Sequence, residues 1–178
     1  LGWLVVLVGC VSDCPAGGDG GNVLVSVVDD IAAMDAVLGS VYLGLVELAE
    51  AVAMPDCQRR AVFLAAGKLW KAGGCGGIFR SAPHCVIVAN AKNATCVEQD
   101  PLIYLSYFEL MAQARGIGTL WCGLLYWCLR DVLPDFLPRL GIPDTHQLGY
   151  AMLFGYPSIN YRRTVETRSA LVRHIGWN

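Results

Sequence analysis

Apolar residues fall into two kinds of block along this chain. Short runs rich in β-branched residues occupy 3–8 (WLVVLV), 84–90 (HCVIVAN) and 150–155 (YAMLFG), and each predicts a buried strand. The run at 23–28 (VLVSVV) reads either as a strand or as the lead-in to a helix. Longer blocks mix apolar and polar positions and predict helices. The first covers 29–53, with Asp29 or Asp30 placed to cap its N-terminus and Pro55 ending it. A second covers 56–72 and stops at Gly73-Gly74. A third starts at Asp100-Pro101, with proline in its first turn, runs to Arg115 and ends at Gly116. Shorter helical pieces are expected at 121–129 and 131–140, around Pro134 and Pro138. Residues 13–22 and 73–77 are glycine-rich and read as loops, with His146 placed in a third, solvent-facing loop. There is no internal repeat or low-complexity linker, so one domain across 1–178 is expected. Strands separated by helices give an α+β fold, a central sheet flanked by helices.

Composition sharpens this picture. Apolar residues make up 55% of the 178 and charged residues 16%, against about 45–50% and about 25% in ordinary soluble domains. A disordered chain is excluded, because this one buries ample apolar surface. A spanning helix needs roughly 20 apolar residues. The stretch 37–53 is interrupted by Glu47 and Glu50, so no membrane span is expected and a large subunit interface accounts for the excess. A net charge of −2 argues against nucleic acid as a partner. The basic residues nevertheless crowd late, at Arg162, Arg163, Arg168 and Arg173, where they suit a small anion. The 8 cysteines have no Cys-x-x-Cys pair or regular spacing. They read as small buried hydrophobes in a reducing, cytoplasmic setting rather than as a metal site. Residues 7–10 (LVGC) superficially match a lipoprotein cleavage box, but no basic segment precedes them.

Candidate chemistry concentrates at 106–125. Gly116 closes one helix, Gly118 follows with a short extended passage after it, and Trp121-Cys122-Gly123 leads into the next helix. The free N–H groups at a helix start can donate to a flat ligand lying against a glycine-lined turn. Around it stand FRSAPHCVIVANA at 79–91, IYLSYFELMAQARGIGTLWCG at 103–123, LGIP at 140–143 and GYAMLFGYP at 149–157. In order and spacing these phrases resemble the nitroreductase family of FMN-dependent oxidoreductases, most closely over 78–168.

That resemblance implies a dimeric fold with a mixed or antiparallel sheet and a flavin at the subunit interface. It implies FMN as cofactor, NAD(P)H as electron donor, and a nitroaromatic, quinone or related small molecule as acceptor. Trp121, Cys122, Gly123 and Leu124 match the turn that lies against the flavin ring. Arg163 and Arg168 match basic residues that hold its phosphate, for which a guanidinium fork is well shaped. No catalytic side chain is assigned. Members also carry an arginine-rich helix before the first strand, and this chain is expected to begin inside that strand, at Trp3-Leu4-Val5-Val6. The alternative is therefore a non-catalytic dimerising or ligand-binding remnant of the fold. His84 is expected to be structural, and Cys122 to line the pocket rather than react.

Overall fold

The computed structural model describes residues 22–159 and Arg173. The expected strand at 3–8, Arg163 and Arg168 lie outside the described residues. The chain forms β1 (Val23–Val28), α1 (Ile31–Glu50), α2 (Arg60–Lys71), β2 (His84–Ala91), α3 (Gln99–Gln113), β3 (Gly118–Trp121), α4 (Gly123–Asp131) and β4 (His146–Gly155). Two 3₁₀ turns, Pro134–Phe136 and Pro138–Leu140, join α4 to β4.

The four strands form one sheet in the order β1-β2-β4-β3, and all three pairings are antiparallel. Strand side chains alternate between faces, and here both faces are covered. Cys85, Ile87 and Ala89 of β2 join Ala151 and Leu153 of β4 in a core with α1, α2 and α4. Val86, Val88, Met152 and Phe154 point the other way, onto α3. This is why β2 reads as a continuous apolar run. The stripe Tyr104, Leu105, Phe108 and Ala112 gives α3 one apolar face at helical spacing.

Local chemistry accounts for most boundaries. Asp30 caps α1, its carboxylate accepting from Ala33 N–H at 2.8 Å. Gly116 ends the α3 segment at φ +70°, a conformation that favours glycine. The Tyr42 hydroxyl of α1 is buried and accepts from Ile78 N–H at 2.9 Å, while its ring stacks on Trp70 of α2 at 4.7 Å. The buried Asn90 side chain donates to Asp100 Oδ2 and to Cys96 O, both at 3.2 Å, fixing the end of β2 to the start of α3.

Four expectations are corrected. Trp121 does not start a helix: it ends β3, because the ladder Gly118↔Gly155 to Trp121↔Met152 holds the segment extended. Residues 131–140 are not one helical piece, since Pro134 and Pro138 lack the N–H an α-helix needs, and two 3₁₀ turns form instead. The second helix begins at Arg60 rather than 56. The last strand starts at His146, which is half-buried on β4 rather than in a loop, and it bulges near Gly149, where Val88 pairs with Tyr150 and Ala89 with Leu148.

Among the described residues, α1 is the helix long and apolar enough to cross a membrane by length and composition, with a mean hydropathy of 1.6. Its Met34, Val41, Tyr42 and Leu45 are buried in the core, whereas Ile31 is 64% and Leu43 56% exposed.

Candidate active site

The Trp121–Leu124 segment turns from the edge strand β3 into α4. Cys122 occupies the N-cap position of α4 with φ −97° and ψ 77°. Its N–H is taken by Ala151 O at 2.9 Å, and its carbonyl accepts from Tyr126 N–H at 3.0 Å. Its thiol points into the core and donates to Ile78 O at 3.3 Å. Burial pushes that thiol's pKa up, opposed by the N–H groups of Leu125 and Leu124 and by the Arg80 charge. Cys122 therefore offers neither an open sulfur nor a spare N–H. The expected donor role contracts to Gly123, which as first residue of the helix has no carbonyl four residues back within it.

Gly123 is also sterically required. A Cβ there would come within 2.8 Å of Trp127 and 3.0 Å of the Tyr150 hydroxyl. The turn is thus walled by aromatic rings. Tyr126 stacks on Tyr150 at 4.8 Å, Trp121 meets Tyr150 edge-on at 5.5 Å, and the Arg59 guanidinium lies 3.2 Å from the Trp127 ring centre. Arg130 sits 5.0 Å from the centre of Tyr126 and is bound at both ends by Asp131, at 2.5 and 2.8 Å. That pairing holds the Asp131 carboxyl below its ordinary range.

Glu109 of α3 holds the turn from the opposite side. One carboxylate oxygen accepts from the Trp121 indole N–H at 2.9 Å, the other from the Thr119 hydroxyl at 3.1 Å. Positions 119 and 121 share a face of β3, so one carboxylate can bind both. Sequence reasoning missed Glu109 because this pairing exists only once 118–121 is extended. It also missed Arg80. Arg80 and Ser81 both adopt left-handed φ, +50° and +57°, which is uncommon outside glycine and asparagine. They border a cleft of about 430 Å³ with Pro83, Thr119, Phe154 and Ser158. Arg80 is exposed, and its charge reaches Cys122, so it relates the cleft to the turn.

His84 packs its ring on Phe154 at 5.2 Å, and its Nδ1 is buried without a hydrogen-bond partner. Among the described residues no three His, Cys, Asp or Glu side chains gather to hold a metal ion.

The nitroreductase family model matches residues 7–156. Comparison with curated proteins returns no match. Among solved structures, the chain is similar to a nitroreductase with bound FMN from Bacteroides fragilis (TM-score 0.70, 18% identity, covering 96% of this chain and 86% of that one). It is similar to a nitroreductase with bound FMN from Desulfitobacterium hafniense (0.64, 20%, 92% and 81%). A third similar structure is an FMN-dependent nitroreductase from Mycobacterium smegmatis in complex with NADPH (0.59, 18%, 87% and 77%).

Proposed function

The chain belongs to the nitroreductase family, and from that premise we propose that it is an FMN-dependent oxidoreductase using NAD(P)H to reduce a nitroaromatic, quinone or related acceptor. The observation that carries this reading is the turn at Gly123. It combines a glycine closely approached by aromatic rings with a first-turn N–H that the helix itself does not pair, in a chain of this family. FMN, when bound, supplies two-electron transfer that no side chain of this turn provides.

The residues present fit such a group. The Gly123 N–H suits a polar ring atom, and a backbone donor needs no reorganisation to stabilise developing negative charge. Arg80 adds a positive charge near the turn, and the adjacent cleft has room for a polar chain. Arg163 and Arg168 remain the proposed phosphate ligands. Glu109 holds Trp121 so that the turn keeps its shape.

The proposal includes a homodimer, supported by the exposed apolar positions of α1, and a reducing cytoplasm, supported by the free thiols of Cys57, Cys75, Cys85, Cys96, Cys122 and Cys128. The test is a visible absorption spectrum of the purified chain with added FMN, followed by a thermal melt. A retained flavin band and a raised Tm are expected. Their absence would leave the non-catalytic reading standing.

A further inference from the structure

Resting on the flavin reading above, we infer that the aromatic ledge beside Gly123 is the acceptor subsite and that Arg59 selects flat aromatic acceptors carrying a negative charge. Tyr126, Trp127 and Tyr150 are half-buried, so each keeps surface in water. Trp127 and the Tyr150 hydroxyl both come within 3.0 Å of where a Cβ on Gly123 would stand, which puts the ledge directly against the candidate turn. Aromatic faces of this kind recognise planar rings by offset stacking.

Two arginines, Arg130 and Arg59, face one carboxylate at the ledge, Asp131, and both hold it below its ordinary range. Arg130 is engaged by Asp131. Arg59 donates to the uncharged Gln58 side chain at 3.1 Å, and among the described residues no carboxylate lies within 4.0 Å of its guanidinium. Its guanidinium carbon lies over the Trp127 ring, 3.2 Å from the ring centre. A cation seated over an aromatic ring keeps its charge, and a guanidinium with one N–H on Gln58 has further donors for an oxygen anion. A carboxylate or phenolate on the acceptor can take those donors while the ring stacks on the ledge. A neutral acceptor gains only the stacking.

Equilibrium dialysis of the full chain against 4-nitrobenzoate and nitrobenzene tests this, with and without saturating FMN. The expected result is at least fivefold tighter binding of the anion. In Arg59→Gln that preference is lost and the nitrobenzene Kd moves less than twofold. In Arg59→Lys, which keeps the charge, part of the preference returns. Equal binding of the two probes by the unmodified chain, or a parallel loss of both in Arg59→Gln, overturns the inference. The two readings fail separately. Loss of the flavin band with the preference intact removes the flavin reading, and a flavin band without preference removes the subsite.

Discussion

At the scale of single residues, burial decides which thiols can react. Desolvation pushes Cys85 and Cys128 up to about 12 and raises Cys122 as well, while Cys75 is exposed. Cys85 and Cys128 are then thiolate in about one molecule in ten thousand at pH 8. Among the described cysteines, iodoacetamide at pH 8 is therefore expected to label Cys75 first and leave Cys85, Cys122 and Cys128 intact in the folded chain, as read by peptide mass spectrometry. Gly123 makes the complementary case. Gly123→Ala forces its Cβ against Trp127 and Tyr150, and overpacking of this kind costs about 1–3 kcal/mol. A lower Tm together with weaker FMN retention is the expected outcome. The sequence pointed to Gly123 as a site residue through its place in a motif. It could not show that the Cys122 thiol faces the core, because that depends on Ile78, which lies far away in the chain.

At the scale of elements, the site depends on an edge strand held by one carboxylate. Glu109→Ala removes acceptors from both Thr119 and Trp121. A loss of about 1–3 kcal/mol is expected, since partly buried donors are left unpaired, and a denaturant melt measures it. Glu109→Gln keeps one acceptor oxygen and is expected to lose less. The strand itself was the least legible element. β2 and α3 could be read because β-branched residues and the Asp100-Pro101 start carry local signals. After Gly118 a short extended passage is expected, but its pairing and its continuation through Trp121 come from the ladder with β4, which no local signal shows. The same holds for the extra residues at the start of β4, which pair with β2 across the bulge. In each case a long-range ladder overrode local propensity.

At the scale of the whole molecule, the apolar excess of the composition has a location. Core strands covered on both faces take much of it, and α1 leaves Ile31 and Leu43 in contact with water. If that face joins two protomers, Leu43→Arg places a charge in an apolar interface. The expected result is a shift from dimer to monomer in light scattering coupled to size exclusion, with Tm falling and losing its dependence on protein concentration. A unchanged mass would locate the interface elsewhere. The sequence read α1 as too interrupted to span a bilayer and assigned its apolar surplus to a partner. Glu47 and Glu50 lie in its last turn, and Glu50 pairs there with Lys71 of α2, so the helix is tied to its neighbour at that end.

The strand order β1-β2-β4-β3 also sets a timetable for synthesis. β2 is the most buried strand, and its second neighbour, β4, is completed only at Gly155. At about 5–20 residues per second, the ribosome needs several seconds to travel from the end of β2 to the end of β4. Throughout that interval a largely apolar strand has one open edge and no β4 to close it. A chaperone that shields extended apolar segments would act in this window, and nascent chains stalled before His146 should be the form it retains.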